Sequence, residues 1–193
     1  VCRKAIKADL IPVKNYEKYY KFIYGEDLLR SIDLYKAIST VYFLQESLYN
    51  YTLNPESVTM SVSPNNYKAD FTIREKVYEY LKTENVFFET DWEEYRGVCA
   101  SLISQAIATV SSFDITNSAK EEYYKKIANS DFYKQNLFGG KFNCSLKDRI
   151  VINLFKHRAY CFLNLYGRVR KRYVKYMRRK LLSVTGGKEK EKQ

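Results

Sequence analysis

Hydrophobic positions recur every three or four residues over most of the chain, and the departures from that period mark its organisation. Tyr16, Tyr19, Tyr20 and Ile23 share one helical face before Gly25, and Leu28, Leu29, Ile32 and Tyr35 share another after it. The period then changes. Thr40-Val41-Tyr42-Phe43-Leu44 is β-branched and aromatic, and the run from Leu48 to Leu53 repeats that character, so a short hairpin or two small strands are expected near residues 40–53. Pro55, Pro64, Asn65 and Asn66 mark a loop, beyond which helices dominate.

The first of these helices is expected over Phe71 to Leu81. The strongest spans Trp92 to Val110, where Tyr95, Val98, Cys99, Leu102, Ile103, Ala106, Ile107 and Val110 predict a core-facing stripe. Ser118 with Glu121, and Ser145 with Asp148, have the form of a capping box, in which a hydroxyl and an acid three residues on satisfy each other's backbone N–H. Each predicts a helix start, and Gly139-Gly140 predicts a break between them. From Leu146 to Leu182 one line of Ile150, Leu154, Phe162, Leu165, Val169, Tyr173, Met177 and Leu181 predicts a long helix, with a Lys/Glu-rich disordered tail from Gly186. The expected class is mainly α with a small β element.

Charge adds a polarity along the chain. The net charge is +11, yet residues 141–193 hold 16 Lys/Arg against Asp148, Glu189 and Glu191, so that end carries +13 and residues 1–140 carry −2. Arg168, Arg170, Lys171, Arg172, Lys175, Arg178, Arg179 and Lys180 surround the apolar line of the last helix. Aromatic and aliphatic residues on one side with Lys/Arg on the other is the pattern of an interfacial anchor, so an anionic membrane surface is the expected partner. A helix packed on the domain with a solvated charged face has the same pattern. Basic residues interleaved with Tyr also suit nucleic acid, so a basic nucleic-acid-binding module, or a helical domain that binds only proteins, stands as the alternative function.

Composition narrows the classes further. The 193 residues suffice for a real core, and 46% hydrophobic with 28% charged residues is ordinary globular composition. No run of about 20 apolar residues is present to cross a bilayer. Cys2, Cys99, Cys144 and Cys161 form no Cys-x-x-Cys pair and His157 is the one histidine, which gives no recognisable zinc site and suggests reduced cytosolic thiols. His157, between Lys156 and Arg158, is expected on a solvated helix face.

Two segments carry a resemblance. Tyr24-Gly25-Glu26-Asp27-Leu28-Leu29 is followed, after the strand-like Val41-Tyr42-Phe43-Leu44, by Leu48-Tyr49-Asn50-Tyr51-Thr52-Leu53-Asn54-Pro55-Glu56-Ser57-Val58-Thr59. In order and spacing the pair resembles family 2 glycosyltransferases of bacterial surface polysaccharide synthesis, with their G-E-D-L-L helix start and Y-x-Y-x-x-N-P-x-S-V-T segment. Lys4-Ala5-Ile6 and Leu10-Ile11 are similar to the segment before the acidic motif; Cys2-Arg3 and Thr52 depart from the residues common in the family.

The resemblance implies an inverting transfer of a sugar from a nucleotide-diphosphate donor to a lipid-linked glycan acceptor, at the cytoplasmic face of the membrane. Asp27 would be the general base that takes the acceptor hydroxyl's proton, Glu26 would orient the acceptor or a helix-end amide, and Tyr49, Tyr51 and Asn54 would lie near the acceptor. An acidic pair in a first helical turn also serves the macrodipole, Tyr49 and Tyr51 also suit one face of a strand, and Asn54-Pro55 also suits a turn. Such enzymes have a GT-A fold whose first half carries parallel strands and an Asp-x-Asp motif for Mn or Mg; this chain has neither. It is therefore expected to be the C-terminal part of a longer enzyme and inactive alone. Residues 1–64 would end the GT-A domain, 65–140 form a helical subdomain, and 141–193 form the basic amphipathic helix and tail.

Overall fold

The structure, a computed structural model, describes residues 28, 29, 31, 32, 34, 38–42, 63–85, 87–138 and 140–189, with side chains of the last helix as far as residue 177. Six helices are described from end to end: α1 Asn66–Glu84, α2 Glu89–Ser112, α3 Asn117–Asn129, α4 Asp131–Phe138, α5 Leu146–Lys156 and α6 Tyr160–Glu189. No strand occurs among the described residues, so the chain is mainly helical as its periodicity predicts. Of the expected β element, Thr40, Val41 and Tyr42 are described, and they are non-helical and exposed; the rest lies outside the described residues.

The chain divides into two compact units, Val1–Thr90 and Asp91–Gln193. In the first, Leu28, Leu29, Ser31, Ile32 and Leu34 are helical, and Leu29 is buried with Ile73 of α1, Leu28 and Ile32 packing beside them. α1 also buries Tyr67, Phe71 and Val77, and the Tyr67 and Phe71 rings meet edge to face at 5.3 Å. It ends at Asn85, whose φ of 51° is a left-handed conformation that asparagine tolerates better than most residues.

The second unit is built around α2, which is longer at both ends than its apolar run predicts. Its buried face is also turned: Val98, expected inside, is 43% exposed, while Gly97, Ala100, Ser104, Ala108 and Ser111 are buried. These small residues recur every three or four positions and let other segments approach the α2 backbone. A Cβ on Gly97 would lie 2.0 Å from the Asn143 carbonyl oxygen, and one on Gly167 of α6 would lie 2.3 Å from the Ser111 carbonyl. Backbone thus meets backbone at both crossings. Arg96 secures the first by donating from Nε to the Lys141 carbonyl at 2.8 Å.

Both expected helix starts exist, but one is capped two residues early. Ser145 has extended dihedrals, its Oγ accepts from the Asp148 N–H at 3.2 Å and donates to Asp148 Oδ2 at 2.7 Å, and Ser101 of α2 donates to the same oxygen at 2.9 Å. At α3 the cap is Thr116, whose Oγ1 accepts from the Ala119 N–H at 3.2 Å; Ser118 already lies in the first turn. Helix entry needs an extended residue there, and Thr116 has φ −61° and ψ 154°.

The single helix expected from Leu146 to Leu182 is two. α5 stops at His157, where Arg158 takes φ 53°, its N–H bonding to the Phe155 carbonyl at 3.0 Å and the Ala159 N–H to the Leu154 carbonyl at 2.8 Å. That bond pair is the Schellman ending, which satisfies carbonyls left over at a helix C-terminus and usually employs glycine. Here arginine holds the position, so nothing in the residue types marks the break. At the far end α6 runs on through Gly186 and Gly187 to Glu189, past the expected start of a disordered tail, since no proline interrupts a helix already propagating from a packed half.

An aromatic cluster fills the space between α3, α4, α5 and α6. Tyr124 lies 5.7 Å from Phe155 and 4.8 Å from Tyr160, and Tyr133 lies 5.6 Å from Phe155. The fully buried Tyr124 hydroxyl is 2.8 Å from Ser111 Oγ and 3.3 Å from Asn164 Oδ1, and Asn164 Nδ2 donates to Asn117 Oδ1 at 3.1 Å. Burial, opposed by the Ser111 hydrogen bond, pushes the Tyr124 phenol up to about 12. It stays protonated as a tie among α2, α3 and α6.

Candidate functional site

α6 carries three rows of residues, each stepping by three or four positions. The inner row is Tyr160, Asn164, Gly167 and Lys171, and with the fully buried Leu163 it packs on the body of the second unit. The outer row is Phe162, Leu165, Val169, Tyr173 and Tyr176, each 57–62% exposed. The third row, Arg168, Arg172 and Lys175, is exposed along one flank of the outer row. A helix whose apolar stripe faces away from the body while a more polar face packs inward reverses the usual arrangement of a surface helix.

The reason for the reversal lies at the C-terminus of α2. The last turn of that helix contains no basic residue, although its unpaired carbonyls favour positive charge. Cations come from elsewhere: Lys120 of α3, itself buried, donates to the Ser111 carbonyl at 2.8 Å, and Arg170 of α6 reaches Ser112 Oγ at 3.4 Å and the Ala108 carbonyl at 3.5 Å. Lys171 pairs with Asp114 just beyond the helix end. Burial, and then the neighbouring Arg168 charge, lower the Lys120 pKa, while the Lys171 hydrogen bond lowers that of Asp114.

Arg170 and Lys171, grouped by sequence with the membrane-binding cations, are therefore turned toward the protein. Arg168, Arg172 and Lys175 make no hydrogen bond or ion pair with the described residues, although the Arg168 charge acts on Lys120. Arg178 and Arg179 continue α6, their side chains outside the described residues. The segment from Arg149 to Lys188 contains no Asp or Glu, so no acid on α6 before Glu189 neutralises these rows.

Asp27, Glu26, Tyr49, Tyr51 and Asn54 lie outside the described residues. Among the described residues no group of three or more His, Cys, Asp or Glu is placed to hold a metal ion. No disulfide joins Cys99, Cys144 and Cys161 to one another, and His157 is an exposed helix cap. No described helix is long and apolar enough to cross a membrane.

The inner row escaped sequence reasoning because Asn164 and Gly167 are not apolar, although their spacing with Tyr160 and Leu163 is that of a packing face. No protein-family model, curated protein or solved structure matches the chain.

Proposed function

We propose that the chain is the C-terminal part of an inverting family 2 glycosyltransferase that acts at the inner face of the membrane, with α6 as its contact to an anionic lipid surface. The exposed apolar row of α6, edged by cations, is the observation that supports the location. Support for the chemistry is the motif pair around Glu26-Asp27 and Tyr49 to Thr59, and the helical state of Leu28, Leu29, Ser31, Ile32 and Leu34 is compatible with a G-E-D-L-L helix.

In this reading the acceptor hydroxyl oxygen bonds to the anomeric carbon as the diphosphate oxygen leaves, and Asp27 takes the hydroxyl proton. Glu26 orients the acceptor, beside Tyr49, Tyr51 and Asn54. A divalent cation would supply charge stabilisation on the diphosphate, and its ligands would lie in the remainder of the full-length enzyme.

The test is sugar transfer from nucleotide-diphosphate donors in the full-length enzyme. Loss of a general base costs about 10²–10⁴-fold in rate, so Asp27→Asn should fall in that range with Glu26→Gln less affected. Turnover by the isolated chain that depended on Asp27 would refute its being a fragment; a full-length Asp27→Asn enzyme near wild-type rate would refute the base.

A further inference from the structure

We infer that the basic residues of α6 divide between two tasks: Arg168, Arg172 and Lys175 bind anionic lipid headgroups beside the inserted row Phe162, Leu165, Val169, Tyr173 and Tyr176, whereas Arg170 and Lys171 hold the helix to the end of α2. The inference deepens the membrane reading above and rests on it. Arg168 follows Leu165 by three residues, and Arg172 follows Val169 by three and precedes Tyr176 by four, so cation and apolar side chain are helical neighbours along the whole edge. Lys and Arg in such positions keep their charged ends at headgroup level while the stems lie on the apolar row.

A second copy of the chain is a poor occupant. Two α6 helices meeting through their outer rows would bring cationic flanks together with no acid between residues 149 and 188 to pair with them. Nucleic acid would use the cations but leave Leu165 and Val169 against a polar, charged surface. An anionic bilayer interface satisfies both rows at once.

The attachment of the inner row fixes how the body meets the lipid. Asn164 is bonded to Asn117, the Tyr124 hydroxyl is shared with it, and Gly167 touches the Ser111 backbone, so α6 as far as Lys171 is part of the folded unit. The outer row is displayed without unfolding, and binding requires no helix to form on the membrane.

Co-sedimentation with phosphatidylcholine vesicles, with and without phosphatidylglycerol, tests the division. Each basic group near an anionic leaflet changes partitioning about fivefold. Arg168→Gln/Arg172→Gln/Lys175→Gln should therefore lower binding to anionic vesicles by roughly a hundredfold, and Leu165→Ser/Val169→Ser should also weaken it. Arg170→Gln/Lys171→Gln should bind within about twofold of wild type, with a lowered thermal midpoint by Trp92 fluorescence. Should that pair not fold, Lys171→Gln alone serves, with unchanged binding expected. A folded Arg170/Lys171 variant that lost about 25-fold, or a flank variant that lost nothing, would overturn the division. Wild type that ignored anionic vesicles would instead overturn the membrane reading itself. A dimer dispersed by Leu165→Ser, or retention of single-stranded nucleic acid in place of vesicles, would give the face to those partners and overturn the proposal.

Discussion

Gly167→Ala is the substitution that most directly probes how α6 is held. In an unconstrained helix it would stabilise by about 0.8–1 kcal/mol, because alanine has the higher helix propensity. Here the new Cβ would stand 2.3 Å from both the carbonyl carbon and oxygen of Ser111 and 2.7 Å from its Cβ, where ordinary contact begins near 3.4 Å. Two of those atoms are backbone, so the helices must separate by roughly 1 Å, an overpacking that costs about 1–3 kcal/mol. Separation also stretches the 3.3 Å contact from Tyr124 to Asn164 three residues away, and a buried polar group left unpaired costs about 1–3 kcal/mol. Net of the propensity gain, a loss of about 1–5 kcal/mol is expected. Trp92, the one tryptophan, lies in α2 and reports urea unfolding of this unit by fluorescence. Lys175→Ala, on the exposed flank of the same helix, should change stability by no more than about 0.5 kcal/mol. A Gly167→Ala protein as stable as wild type or more so, at equal denaturant slope, would refute the backbone contact.

Two further outcomes follow from the caps. Thr116→Ala should destabilise by about 1 kcal/mol and Ser118→Ala by a few tenths at most; a larger loss at Ser118 in urea titrations would restore it as the cap. Asp148 is nearly buried, and burial alone would raise its pKa, but hydrogen bonds from Ser145, Ser104 and Ser101, with the Lys147 charge, bring it below the usual carboxylate value. Its contribution is therefore complete above the unfolded pKa of about 3.9 and disappears as pH falls from there through the lower folded value. Asp148→Asn should lower the thermal midpoint at neutral pH and flatten its fall below about pH 4; an unchanged acid limb would contradict the serine cradle.

What the sequence disclosed was governed by how apolar each determinant is. α2 was legible because Cys99, Ile103, Ile107 and Val110 repeat along it, and Ser145 was legible because hydroxyl and acid stand at capping distance. The turned face of α2 was not, because Gly97, Ala100, Ser104 and Ser111 act by being small, and smallness leaves no mark in a hydrophobic period. The stop after α5 was hidden by Arg158, which supplies a left-handed residue without being glycine. At the candidate face, the outer apolar row could be read from spacing, but its direction could not: that is set by Asn164 and Gly167 packing inward and by Arg170 and Lys171 serving an adjacent helix end. Glu26, Asp27, Tyr49, Tyr51 and Asn54 rest on sequence alone.

The lack of acids on α6 has one more consequence. Between Tyr160 and Lys188 the helix contains no Asp, Glu or His, and the protein's one histidine precedes it. Its cationic groups therefore have no acid on the same helix before Glu189 to offset them. The reach of that charge is set by dissolved salt, which screens exposed charge over about 8 Å at physiological ionic strength, and by how much negative charge the opposing surface presents.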